Sequence, residues 1–298
     1  MSRFSTRRSI LLGAAAYPLL SACAALGGNS PAAASARQEL TTIESSLDGR
    51  LGLFAWDTAD GRRLAYRADE RFPLCSTFKL LLVSAILQMS AQQPGLMQQV
   101  LSYRRSDLVE YSPVTEQHVG AGMSVAALCT AALQYSDNTA GNLLIERLGG
   151  PAAVTVYARS IGDRQFRLDR RETDLNTATP GDPRDTSTPA AMGNSLRRLA
   201  LGDALAPAQR EQLCAWLRGN TTGAARIKAG IPASWTIGDK TGGGRYGTAN
   251  DIAVLWPPQR PPVIIAIYTT RREPAATTRN ELIAAAARVI VDWLCELS

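Results

Sequence analysis

Phe72-Pro73-Leu74-Cys75-Ser76-Thr77-Phe78-Lys79-Leu80-Leu81-Leu82-Val83 is the stretch where the hydrophobic period of this chain changes from strand-like to helical. Upstream of it, Arg50 to Asp57 reads as a strand, Asp60-Gly61 as a turn and Arg62 to Ala68 as a second strand, together a hairpin. Downstream, the apolar runs Leu80 to Met89, Val125 to Leu133, Ala140 to Leu148 and Ala152 to Ile161 read as helices, and helical signals persist to about Leu201. Strand character returns at Trp235 to Thr241, Asn250 to Trp256 and Val263 to Thr270. Helices close both ends: Ala36 to Leu47, and Asn280 to Glu296, which places Leu282, Ala286, Val289 and Trp293 on one face. Both chain ends therefore feed one sheet layer. The expected fold is α/β of the α+β type, an antiparallel five-stranded sheet flanked by N- and C-terminal helices, with an inserted all-helical domain. Residues 38–67 and 218–298 are assigned to the α/β part and 68–217 to the helical part.

The N-terminal residues read as an address. Arg7-Arg8 precede an apolar run from Ile10 to Leu20 that is too short to span a bilayer but suits an export signal of the twin-arginine kind. Leu20-Ser21-Ala22-Cys23 resembles a bacterial lipobox, in which the cysteine is acylated; an ordinary signal peptide with Cys23 incidental is the alternative. Residues 1–22 are thus expected to be a signal peptide and 23–37 a flexible tether rich in Gly, Ser, Pro and Ala. Export to the periplasm or cell envelope follows from this reading.

Composition removes several chemistries. The 298 residues are 45% hydrophobic and 19% charged, which suits a globular chain. The net charge of +6 includes Arg3, Arg7 and Arg8 of the leader, and the remaining 29 basic against 26 acidic residues form no cluster dense enough for a phosphate backbone. No nucleic-acid partner is expected, and a monomer is. A single histidine, His118, is too few for a zinc centre built on imidazoles, and it has no nucleophile motif beside it for a Ser-His-Asp triad. No metal and no cofactor are expected. Cys75, Cys129, Cys214 and Cys295 are widely spaced, and spacing alone assigns them no partners.

Three short motifs carry the chemistry: Ser76-Thr77-Phe78-Lys79, Ser136-Asp137-Asn138 and Lys240-Thr241-Gly242. Residues three apart on a helix share a face, so the Lys79 amine can reach the Ser76 hydroxyl. An alcohol needs a base to take its proton; a desolvated lysine can be neutral near pH 7, whereas a guanidinium stays charged. The chain has only three lysines, Lys79, Lys228 and Lys240, and two of them fall in motifs. Pro73 and Leu74 favour an extended approach, which would set Ser76 at a helix start with backbone N–H groups pointing outward. Ser-Asp-Asn taken alone is also a common helix N-cap.

In this order and spacing the motifs resemble those of the class A serine β-lactamases, a branch of the penicillin-binding protein and serine β-lactamase superfamily. The resemblance covers about residues 38 to 298. It implies a cleft between sheet and helical insertion, β-lactam antibiotics as partners, and hydrolysis of the lactam amide through an acyl-enzyme on Ser76. Ser136 would pass a proton to the leaving nitrogen, and Asp137 would brace its loop. Asn138 would hold the substrate's amide side chain, and Lys240 and Thr241 its carboxylate. The N–H groups of Ser76 and Gly243 would hold the oxyanion.

Arg170-Arg171-Glu172-Thr173-Asp174-Leu175-Asn176 resembles the family's Ω-loop, here 169–185, in which Glu172 would activate water and Asn176 orient it. Asp185 would pair with Arg170 across the neck of that loop. Tyr111 resembles an aromatic gate, and Arg226 a second cation for the carboxylate. Members that clamp the cysteine before the nucleophile have a cysteine on the Lys-Thr-Gly strand, where this chain has Gly242-Gly243-Gly244-Arg245-Tyr246. Cys75 is therefore expected to be a free, buried thiol. Cys129 is expected free too, because the corresponding partner position is Val83. A D,D-peptidase and a β-lactam sensor domain share the first three motifs and remain alternatives. Whether Glu172 or Lys79 is the acylation base stays open.

Overall fold

A computed structural model describes Met1 and residues 30–295, so Arg7, Arg8 and Cys23 lie outside the described residues. Helix α1 (Pro31–Ser45) opens the fold, followed by the hairpin β1 (Gly49–Asp57) and β2 (Arg63–Tyr66). The expected tether is helical from Pro31 onward. The Ser30 hydroxyl caps the helix by accepting the Ala33 N–H, Pro31 occupies the first turn, where its missing N–H costs nothing, and the alanines that follow favour helix. A short β3 (Phe72–Pro73) leads into a turn of 3₁₀ helix, Cys75–Phe78, and then α2 (Lys79–Gln92). The approach to Ser76 is extended through Phe72–Pro73, as expected, but not at Leu74. Leu74 is already helical (φ −69°, ψ −42°) and Cys75 lies in the left-handed region (φ 43°), so the chain kinks one residue before the serine.

Two-residue strands β4 (Val100–Leu101) and β5 (Met123–Ser124) pair with one another ahead of α3 (Val125–Gln134), α4 (Asn138–Leu148) and α5 (Pro151–Ser160). After a long loop, β6 (Thr186–Ser187) pairs with β3. Helices α6 (Pro189–Ala200) and α7 (Pro207–Arg218) then return the chain to β7 (Thr236–Gly244), β8 (Thr248–Trp256), β9 (Val263–Arg271) and α8 (Asn280–Cys295).

Five strands form one antiparallel sheet, as expected, and their order is β2-β1-β9-β8-β7. Its central strands are apolar on both faces because helices cover both. Ile252, Val254, Ile264, Ala266 and Tyr268 join the core of α2 to α7, whereas Ala253, Leu255, Val263, Ile265 and Ile267 pack under α1 and α8. Strand β7 is an edge of this sheet, and its end approaches the 3₁₀ turn that carries Ser76. The cleft opens there.

Candidate active site

Ser76, Lys79 and Glu172 come together although 96 residues separate the first from the last. Lys79 Nζ donates to Ser76 Oγ at 3.0 Å, Ser136 O at 2.8 Å and Asn138 Oδ1 at 2.7 Å, and lies 3.0 Å from Glu172 Oε1. Ser76 Oγ is itself 3.2 Å from Glu172 Oε1. All three are buried, and that burial pushes the Lys79 amine below its ordinary range while the Glu172 carboxylate opposes the shift. The amine is thereby brought toward a form that can accept a proton.

Ser136 falls just beyond α3, which stops at Gln134; it has φ 58°, and its hydroxyl oxygen accepts from Lys240 Nζ at 3.1 Å. Asp137 serves both readings of its motif. Its Oδ1 caps α4 by accepting the Ala140 N–H at 2.8 Å, and its Oδ2 accepts the Val114 and Thr115 N–H groups at 3.0 and 2.9 Å, bracing the loop that presents Tyr111. Asn138 spends Oδ1 on Lys79 and donates through Nδ2 to Glu110 O at 2.9 Å. Tyr111 is 56% exposed at the rim with φ 63°.

The loop from Asp169 to Asp185 is closed at its neck. Asp185 Oδ1 accepts the N–H groups of Asp169 and Arg170 at 2.7 and 2.9 Å, and Arg170 Nε donates to Asp185 Oδ2 at 2.6 Å. Within the loop Asn176 Nδ2 donates to Glu172 Oε2 at 2.6 Å, and among the described residues Asn176 Oδ1 has no partner. The Glu172–Thr173 peptide is cis.

The cleft above this cluster has a volume of about 680 Å³ and is lined by Ser76, Tyr111, Ser136, Asn138, Asn176 and, on the strand side, Thr222, Arg226, Thr241 and Gly242 to Arg245. Lys240 does not line it. Along β7 alternate residues face opposite sides, so Thr241 meets the cleft and Lys240 lies buried behind Ser136, where burial and the nearby Lys79 charge push it down to about 7. Arg226 is held by backbone oxygens rather than by a carboxylate: its Nη1 donates to Gly242 O at 2.7 Å and Asn250 O at 2.6 Å, and its Nε to Asn280 Oδ1 at 2.9 Å.

Several contributors had no motif to announce them. Asn142 grips the backbone of Glu172, Glu110 supplies the carbonyl that orients Asn138, and Thr222 Oγ1 sits 2.5 Å from Thr241 Oγ1. The helical spacing of Asn138 and Asn142 on α4 was the one available signal. Cys75, Cys129 and Cys214 are buried and Cys295 exposed, and none is disulfide-bonded to another described cysteine.

A buried serine hydroxyl flanked by a desolvated lysine and a carboxylate, at the junction of a sheet edge and a helical layer, is the arrangement of an active-serine acyl-transfer enzyme. Residues 35–294 match the Beta-lactamase enzyme family. The chain is 52% identical to β-lactamase CTX-M-25 from Escherichia coli over 98% of this chain and 99% of that one, and 51% identical to β-lactamase OXY-2 from Klebsiella oxytoca over 97% and 99%. A crystal structure of a β-lactamase from Desulfarculus baarsii superposes with a TM-score of 0.87 at 63% identity, covering 88% of this chain and 98% of that one. A variant of the last common ancestor of Gram-negative class A β-lactamases superposes at 0.84 with 56% identity, covering 86% and 96%. The chain belongs to the β-lactamase enzyme family, within its serine-dependent class A.

Proposed function

We propose that this enzyme opens penicillins and cephalosporins through an ester on Ser76 and releases the product with a water activated by Glu172, thereby conferring β-lactam resistance. The observation that carries the reading is the placement of Ser76 Oγ within 3.0 Å of Lys79 Nζ and 3.2 Å of Glu172 Oε1. Either group can take the hydroxyl proton as Oγ attacks the lactam carbonyl, and the N–H groups of Ser76 and Gly243 hold the oxyanion. Ser136 Oγ, backed by Lys240, delivers a proton to the nitrogen as the C–N bond breaks. Asn138 holds the acyl-amide side chain, Tyr111 walls the cleft, and Thr241 with the charges of Lys240 and Arg226 holds the carboxylate.

Hydrolysis of the ester then requires a base for water. Glu172 takes that proton, and Asn176, tied to Glu172 Oε2, offers its unpartnered Oδ1 to the same water. The Ω-loop base favours a hydrolase over a D,D-peptidase or a sensor, both of which keep their acyl group. In Glu172→Ala, penicillin should leave a persistent mass adduct on Ser76 with turnover lowered at least about a thousandfold; unchanged turnover would reject the role.

The residues preceding the described ones support export through a twin-arginine signal, with Cys23 as a lipid attachment point and the enzyme acting as a monomer in the periplasm or cell envelope. No helix among the described residues is long and apolar enough to cross a membrane. An intact mass of envelope-purified protein carrying a diacylglyceryl group at Cys23 would support the anchor, and a free N-terminus elsewhere would exclude it.

A further inference from the structure

On the face of β7 and β8 opposite Lys240, Asp251 pairs across the strands with Thr241 and lies diagonal to Asp239. All three side chains are buried. Asp251 Oδ2 accepts the Ile227 N–H at 3.1 Å, but among the described residues Asp251 Oδ1 has no donor. What it faces is the Asp239 carboxyl, which becomes a partner only if one of the two acids keeps its proton. Asp239 Oδ2 already accepts from Asn220 Nδ2 at 2.5 Å. The charged groups around the pair are Lys240 and Lys228 on the Asp239 side and Arg226 on the Asp251 side, and no ion pair among the described residues reaches either acid.

We propose that Asp251 is a neutral acid donating its proton to Asp239, and that this one-proton pair positions the substrate carboxylate by fixing the Thr241 hydroxyl through Asn220 and Thr222. The inference rests on the reading of Thr241 as the carboxylate contact. Burial raises both acids, and the geometry separates them: Asp251 is wholly buried with an Oδ1 that has no donor among the described residues, whereas Asp239 keeps 4% exposure and holds the Asn220 N–H, so Asp251 is the proton holder. Two anions here would balance Lys240 and Arg226; one leaves positive charge for the cleft.

The relay follows from counting hydrogens. Asp239 Oδ2 needs a donor, so Asn220 turns its nitrogen there and its oxygen toward Thr222, whose N–H donates to Asn220 Oδ1 at 3.1 Å and whose Oγ1 lies 2.8 Å from it. Thr222 Oγ1 is also 2.5 Å from Thr241 Oγ1. Its single hydrogen can serve only one of them. With the cleft empty it goes to Asn220; with an anion bound it turns to Thr241, freeing the Thr241 hydrogen for the anion. Asn220 Oδ1 keeps the Thr222 N–H throughout, so only hydrogens move.

Carbon-13 NMR of the full chain, labelled at the aspartate carboxyls and assigned through the backbone so that no variant is needed, tests the proton directly. The Asp251 signal should hold the position of a protonated acid at neutral pH, whereas a carboxylate signal there would overturn the proposal. Asp251→Ala should raise KM for a penicillin about tenfold with kcat within about twofold, spare the matching methyl ester, and be restored by Asp251→Asn, whose amide donates as the acid does. Equal losses on acid and ester, or no rescue by Asp251→Asn, would overturn the relay. If the wild-type enzyme itself treats acid and ester alike, the carboxylate reading of the cleft fails, and the NMR result still judges the proton separately.

Discussion

Asn142 holds Glu172 by both of its backbone polar groups, donating from Nδ2 to Glu172 O at 2.8 Å and accepting the Glu172 N–H on Oδ1 at 2.9 Å. A side chain on rigid helix α4 thus registers the loop that carries Glu172, the proposed hydrolytic base, in the manner of one added ladder rung. Precision at Glu172 comes from the helix rather than from the loop.

Removing that grip should slow deacylation more than acylation. Two neutral hydrogen bonds are worth about 2 kcal/mol together, so Asn142→Ala should lower the deacylation rate about 30-fold. Stopped-flow hydrolysis of a chromogenic cephalosporin should show a burst of one equivalent followed by a slow steady state. A burst-free trace with unchanged kcat would contradict this.

Asp185 closes the same loop at its base with three charge-assisted hydrogen bonds. Replacing it by alanine leaves the Arg170 guanidinium and two N–H groups short of their acceptor, at a cost of about 3 kcal/mol. The melting temperature of Asp185→Ala should fall by about 6 °C or more, and Glu172-dependent turnover should fall with it.

Burial and the Lys79 charge push the Lys240 amine from an ordinary lysine value of about 10.4 down to about 7. The amine is charged below that point and neutral above it, so kcat/KM for carboxylate-bearing substrates should decline as pH rises through about 7. Lys240→Arg keeps its charge and should shift the declining limb upward. Because the unfolded chain holds this proton up to about pH 10.4, the same group makes stability rise with pH between about 7 and 10.4. A pH profile identical in wild type and Lys240→Arg would assign the limb elsewhere.

Thiol accessibility should separate the described cysteines. Burial pushes the Cys75 and Cys129 thiols far above their ordinary range and raises Cys214 as well, whereas Cys295 is exposed. Native protein treated with a maleimide should be labelled at Cys295 alone among these four, and protein in guanidinium at all four, as read by peptide mass.

The fold and part of the reacting site were legible in the sequence for physical reasons. The sheet declared itself because β7, β8 and β9 are long and apolar between turn residues, and the Ser76–Lys79 pair because an amine three residues along a helix reaches a hydroxyl; Ser136 and Glu172 were legible only through the resemblance of their motifs to those of class A β-lactamases. What stayed hidden was conveyed by packing. Ser30 capping α1 lay within a run that composition alone reads as linker, and the left-handed turn at Cys75 is set by tertiary contacts. Whether Lys240 meets the cleft or stands behind Ser136 depends on strand parity and on the approach of α3, which no local window contains. Asn220, Thr222 and Asp251 are ordinary polar residues until the strand register brings them together.

Strand β1, formed from residues 49–57, hydrogen-bonds along its whole length to β9, formed from residues 263–271. A nascent chain leaving the ribosome therefore holds the β1–β2 hairpin without its β9 neighbour until residues 263–271 have been synthesised. Closing so long a loop is entropically slow, so assembly of this sheet waits on its last strand.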